Sequence, residues 1–191
     1  MTTSEALTRG IRVSVRARFS DQNSDPQGRR WVFLYTITIS NESSVRVQLL
    51  ERHWIITDAN GEVEEVKGPG VVGKQPILEP GQSFEYTSAC PLETQFGSMH
   101  GSYRMLGPDS ETFDVEIKGF AFPATTNVAA GSTVTWTNLD TEAHTVTADD
   151  GSWGSELIQE GQRYSRVFDQ AGRFPYHCIP HPMMRGVVVV E

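Results

Sequence analysis

The sequence predicts an all-β protein built as two β-sandwich domains. Short segments in which apolar and polar residues alternate recur along the chain, each bounded by Gly, Asn, Asp or Pro. Few stretches carry the spacing of an amphipathic helix. With 191 residues and 38% hydrophobic side chains, the chain is long enough for one large core or two small ones.

Taken in order, the predicted strands are Val13 to Phe19, Trp31 to Ser40 and Val45 to Thr57. Asp58-Ala59-Asn60-Gly61 is a hairpin turn leading to a partner strand at Val63. Further strands are Phe84 to Ala89, Phe113 to Ile117, Thr133 to Asn138, Tyr164 to Phe168, Phe174 to Cys178 and Val187 to Val190. Glu79-Pro80-Gly81-Gln82, Ala129-Ala130-Gly131 and Glu160-Gly161-Gln162 are turns that each precede a new strand. They echo one another as turn chemistry, without a true repeat. The turn-rich segment Leu106-Gly107-Pro108-Asp109-Ser110 marks the expected boundary, giving domains 1–114 and 115–191.

Sixteen basic residues face 24 acidic ones, a formal charge of −8. That balance argues against nucleic acid and anionic membranes as partners, since both need basic patches. No apolar run is long enough to suggest a membrane span. The N-terminus lacks a basic start followed by an apolar stretch and a cleavage site, which predicts a cytoplasmic protein, or a periplasmic or extracellular one had a leader been removed. The two cysteines, Cys90 and Cys178, lie far apart, so a disulfide framework is not expected.

The strongest chemical signal is Tyr176-His177-Cys178-Ile179-Pro180-His181-Pro182-Met183-Met184-Arg185-Gly186. It sets Cys178, His181 and Met184 at C-x-x-H-x-x-M spacing on a tight loop between strands, with His144 upstream. A thiolate, two imidazoles and a weak thioether make a soft trigonal site suited to copper cycling between Cu(I) and Cu(II). Zinc favours four strong ligands, and methionine is a poor one. Each residue alone has a bland reading, a structural cysteine or a core methionine, but four together in one strand and loop pattern do not share it. Pro180 and Pro182 stiffen the loop, and Pro180 has no N–H to offer the sulfur.

Residues ~115–191 resemble blue (type 1) copper proteins of the plastocyanin, pseudoazurin and amicyanin kind. The resemblance also rests on Phe120-Ala121-Phe122-Pro123, Gly131-Ser132-Thr133-Val134-Thr135-Trp136-Thr137-Asn138 and Gly186-Val187-Val188-Val189-Val190. It implies a Greek-key cupredoxin fold, one type 1 copper per chain, and His144, Cys178, His181 and Met184 as ligands. The amicyanin-like loop length selects Met184 over Met183. Thr145 departs from the asparagine that many members carry after the first histidine, and its hydroxyl is the candidate replacement for that hydrogen bond. His177 should point away from the metal, because side chains alternate along a strand. A second copper bridged through His177 would need more histidines nearby, and the chain has five in all. Electrons are expected to enter at the edge of His181, with Pro180, Pro182 and Met183 as an apolar docking rim for a redox partner protein.

Gly68-Pro69-Gly70-Val71-Val72-Gly73 fits G-x-G-x-x-G, but a β pattern follows where a dinucleotide site needs a helix, so it reads as a turn between strands. Residues ~1–114 resemble an ApaG domain. The matching segments are Tyr35 to Asn41, Arg52 to Asp58, Val66 to Pro76, Tyr86 to Leu92 and Gly97 to Met105. The resemblance implies a fibronectin III-like sandwich with an interaction role, and Cys90 as an ordinary buried or loop thiol. Phe113 to Phe122 is claimed by both resemblances, as a last strand of one domain or a first strand of the other.

The functional expectation is a one-electron carrier, not an enzyme, with the N-terminal domain as a docking module. The alternative is copper buffering, delivery or sensing. Traffickers favour exposed Cys-x-x-Cys or Met-rich tracts, and neither is present.

Overall fold

Alternation becomes strand at every segment named above. The computed structural model describes residues 2–138, 141–182 and 184–191. By contacts the chain divides into two units, Met1–Phe122 and Pro123–Glu191.

The first unit holds β1 (Thr2–Thr8), β2 (Ile11–Phe19), β3 (Trp31–Asn41), β4 (Val47–Asp58), β5 (Val63–Pro69), β6 (Ile77–Leu78), β7 (Ser83–Leu92), β8 (Gly97–Leu106) and β9 (Thr112–Phe122). One sheet runs β1-β2-β3-β7; the other runs β5-β4-β8-β9, with β6 beside β4. Ile11, Val13, Val15 and Ala17 of β2 and Phe33, Tyr35, Ile37 and Ile39 of β3 point into the core, as a period of two demands. On β4 the parity changes: Val47 and Leu49 face in, and so do Trp54 and Ile56. The register shift between Leu49 and Glu51 supplies the extra residue. A second shift, opposite Met99 and Gly101, does the same for β9, turning Phe120 and Phe122 inward after Val115 and Ile117. The bulges thus gather an aromatic cluster, with Phe33 and Phe122 stacked at 4.9 Å and Trp54 edge-on to Phe120 at 6.3 Å.

The edges of the two sheets meet through hydroxyls. Ser4 Oγ on β1 donates to the Lys118 carbonyl at 2.9 Å, Thr2 Oγ1 donates to the Ala121 carbonyl, and the Glu116 N–H donates to Thr8 Oγ1 at 3.2 Å.

β9 pairs with β8 from Thr112 to Phe122. The sequence reading divided the chain between residues 114 and 115, whereas the units part between Phe122 and Pro123. Alternation marks a strand but not the sheet that receives it, so Val115 to Phe122 could not be assigned from pattern alone.

The second unit holds β10 (Ala124–Val128), β11 (Ser132–Thr137), β12 (Thr147–Ala148), β13 (Arg163–Phe168), β14 (Gly172–His177) and β15 (Arg185–Val190). One sheet runs β10-β15-β14-β12, and β11 pairs with β13. β10 and β15 are parallel, so the last strand returns beside the first strand of the unit, as a Greek-key barrel requires. Val134, Val146, Trp153, Ile158, Phe168, Val188 and Val190 form the core. Trp136 packs at its edge, 5.3 Å from the Tyr176 ring and 5.8 Å from Tyr164. Tyr176 lies across Gly186, its partner on β15, where a Cβ would overlap the ring. The Tyr176 phenol is held above its ordinary pKa by burial, partly offset by a hydrogen bond with Trp136.

Candidate metal centre

Two loops of the second unit carry the predicted ligands. The first leaves β11 at Asn138, a side chain only 7% exposed. Its Nδ2 donates to the carbonyls of Glu142 (2.6 Å) and Ile158 (2.9 Å). Ile158 in turn exchanges main-chain hydrogen bonds with His144, at 3.1 and 2.7 Å. His144 is thereby fixed through its own backbone, without belonging to a long strand.

The second loop begins where β14 ends, at Cys178, which is 4% exposed. The Met184 N–H donates to the His181 carbonyl at 2.8 Å, and the Cys178 N–H donates to the Met184 carbonyl at 3.0 Å. These bonds close the loop on itself and return the main chain of Met184 to Cys178. Met183 lies outside the described residues.

The loops bring three side chains together. Cys178 Sγ is 3.5 Å from His144 Nδ1 and 3.7 Å from His181 Nδ1, and the two nitrogens are 3.1 Å apart. Donors ~2.0–2.3 Å from one ion and roughly 120° apart would be separated by about 3.5–3.7 Å, so a single small ion fits among them. Both imidazoles turn the same nitrogen, Nδ1, toward the sulfur. The donor set is a soft thiolate with two imidazoles, which matches copper chemistry. Among the described residues this is the one group of His, Cys, Asp or Glu side chains arranged to hold a metal.

Sequence reasoning named all three of these residues, the Thr145 hydroxyl and the outward turn of His177, but missed the partners of Asp149 and Asn138. The Thr145 N–H donates to Cys178 Sγ at 3.4 Å, and Thr145 Oγ1 accepts the Ile179 N–H at 2.8 Å. His177 turns to Asp149, with Nδ1 2.6 Å from Oδ1, and Asp149 also faces Arg185. Asp149 carried no sequence signal beyond its place in a turn. Asn138 did carry one, as a buried-type polar residue closing a strand ahead of a loop.

Among the described residues, the first unit places no such constellation. Its glycine-rich segment is a hairpin turn: Val71 and Lys74 exchange main-chain hydrogen bonds at 2.8 and 2.9 Å, with Val72 and Gly73 at positive φ between them. β6 follows where a nucleotide site would need a helix. Cys90 is buried, and burial pushes its thiol up to about 12, which keeps it protonated and unreactive.

Residues 21–107 match the family model for the ApaG domain. Protein ApaG of Brucella anthropi is 54% identical over 116 residues, which is 61% of this chain and 89% of that protein. The chain belongs to the ApaG family. A solved structure described as ApaA from Bordetella pertussis is 47% identical to the ApaG part, covering 59% of this chain and 91% of that one with a TM-score of 0.57. Beyond the ApaG domain, residues 111–191 match the model for copper binding proteins of the plastocyanin/azurin family. A reduced tryptophan-to-tyrosine variant of amicyanin is 36% identical, covering 36% of this chain and 70% of that one with a TM-score of 0.34. By the two family-model matches, the chain is an ApaG domain followed by a domain of the copper-binding plastocyanin/azurin kind. No described helix is long and apolar enough to cross a membrane.

Proposed function

We propose that the second unit holds one type 1 copper on His144, Cys178, His181 and Met184, and that the protein is a one-electron carrier and not an enzyme. The observation that carries this reading is the meeting of one sulfur and two Nδ1 atoms within 3.7 Å of each other. Copper bound there supplies a couple that takes up and gives back a single electron. The chain's own residues do the rest. Cys178 is buried, so water is kept from the sulfur. The closed loop and its two prolines hold the donors in one geometry in both oxidation states, which lowers the reorganisation that accompanies electron transfer. Met184, on the same closed loop, is the weak axial donor of the proposal.

Exposed Ile179 (59%), with Pro180 and Pro182, forms an apolar rim beside His181, suited to brief docking of a redox partner protein. The ApaG domain serves as the interaction module. A buried sulfur on a stiff loop suits retention of the metal better than its handover, which favours transfer over copper buffering, delivery or sensing.

Metal analysis and an optical spectrum of the copper-loaded, oxidised protein test the proposal together. The expected result is one copper per chain with the intense visible absorption of a thiolate bound to Cu(II), lost in Cys178→Ser. Two coppers per chain, or a colourless Cu(II) form, would overturn it.

A further inference from the structure

The sandwich of the first unit has two sides on which sheet edges face each other. On one, β1 and β9 are tied by the hydroxyls described above. On the other, β5 and β7 are the terminal strands of their sheets, and among the described residues no strand pairs with the outer edge of either. Between them lies a groove of about 710 Å³, lined by Val63 and Glu64 of β5 and by Pro91 and Leu92 of β7. The two edges are not equal. Pro91 has no N–H to offer, which blunts β7. β5 keeps its N–H groups from Val63 to Gly68, and each of its residues is exposed or half-buried, Val63 at 64%.

Alternation along β5 decides where its charges go. Glu64 stands opposite Ile56 of β4 and shares the face of Val66, which packs against the core. Its carboxylate therefore belongs to the slot between the sheets, beside Ile56 and Leu92. Glu93, Asp58 and Glu62 line the same groove, against the two cations Arg29 and Arg30, so the lining is acidic by four to two. On β5 the ion pairs among the described residues use Glu65, with His53 and Lys67; Glu64 is in none of them.

Resting on the interaction role proposed for the ApaG domain, we propose that the β5 edge takes up an extended, basic segment of a partner protein as an added strand. The main chain of that segment pairs with β5, and one of its lysine or arginine side chains enters the groove. The stem of that side chain lies over Ile56 and Leu92 while its cation meets Glu64 and Glu93. A second copy of this chain is a poor occupant, because its own β5 brings Glu64 and Glu65 against the same carboxylates. The acids thus exclude self-pairing and select a partner of opposite charge.

The test uses the full chain and three probes: a peptide of about seven residues alternating lysine with threonine, the same peptide with glutamate for lysine, and spermine, which carries cations without a peptide backbone. NMR shifts and amide exchange locate the binding. At ten times its Kd, the lysine peptide is expected to shift β5 and β7 resonances and to slow exchange of β5 amides ~10-fold. The glutamate peptide and spermine protect none of them. Glu64→Gln with Glu93→Gln, both exposed positions, weakens the lysine peptide ~3–10-fold, and Glu64→Lys with Glu93→Lys turns the preference toward the glutamate peptide.

Equal binding of the two peptides overturns the proposal, and so does protection of β5 by spermine. Protection that grows with the protein's own concentration would assign the edge to a second copy instead. Lysine-peptide shifts confined to another face of the ApaG domain overturn this surface and leave the domain's interaction role standing. No shift anywhere in the first unit defeats both.

Discussion

Two corners of the molecule, one in each unit, are built from the same hydrogen bonds. In the first, Asn41 Nδ2 donates to the carbonyls of Val45 and Leu78, at 2.8 and 2.9 Å. In the second, Asn138 Nδ2 donates to Glu142 and Ile158, at 2.6 and 2.9 Å. Each asparagine's N–H donates to the carbonyl of a turn glutamine, Gln82 or Gln162, and its carbonyl accepts the N–H of a turn glycine, Gly81 or Gly161. Each glutamine side chain closes its own turn by accepting the N–H of Glu79 or Gln159. The difference lies in what hangs from the corner. Leu78 carries β6 against β4, a purely structural edge. Ile158 carries the main-chain bonds of His144. The same device for closing a sandwich serves the candidate metal centre only where the supported loop holds an imidazole.

The largest expected effect comes from breaking both corners in parallel. Asn41→Ala and Asn138→Ala should each cost ~2–4 kcal/mol, since each removes two side-chain hydrogen bonds, one of them buried. Hydrogen exchange followed by mass spectrometry reads the two units separately. Asn138→Ala alone should also weaken copper uptake in a titration. Equal loss of copper in Asn41→Ala would show that the corners are not functionally distinct.

Alkali sharpens the contrast through the phenols. Tyr86 and Tyr103 of the first unit share a hydrogen bond of 2.6 Å inside the core, and burial raises both pKa values above the ordinary range. A phenol whose folded pKa is raised stabilises the fold fully below its unfolded value of about 10, and that stability is lost as pH rises toward the folded value. Above pH ~10 the first unit should therefore lose at most ~1.4 kcal/mol per pH unit per phenol. Tyr103→Phe should flatten the slope in urea denaturation followed against pH.

The smallest effect is the most symmetrical. Gly81 and Gly161 hold φ of +79° and +74° with open space where a Cβ would stand. Alanine at either position should cost ~1 kcal/mol from backbone strain alone, in thermal unfolding of the metal-free protein. A marked difference between the two would show that one turn bears load the other does not.

Much of this was legible in the sequence, for physical reasons that also set the limits. Strands with a buried face, such as Ile11–Phe19 and Trp31–Asn41, declare themselves by alternation. Thr2–Thr8 does not, because it buries no residue fully and offers mostly small or polar side chains. Gly97–Leu106 is hidden by its glycines. Gly101 is required there because the His53 carbonyl crosses where a Cβ would stand, a close approach that no pattern of hydrophobicity records. The proposed ligands could be picked out because Cys178, His181 and Met184 share one loop at fixed spacing. The Thr147–Thr145 bond could not, because it lies along polar positions that look like any turn. The twin corners were invisible as a repeat, since asparagine and supported carbonyl are 37 residues apart in one and 20 in the other.

The hydroxyls of Thr2, Ser4 and Thr8 that reach across to β9 have a consequence for how this protein lives at high concentration. A terminal strand of a sheet left bare is a template on which another chain can lay its own backbone. Here that template is occupied from within, by side chains too short to leave it and too polar to seek oil. Stripping those oxygens, as in Thr2→Val with Ser4→Ala, would leave that edge open to pairing with the backbone of another chain.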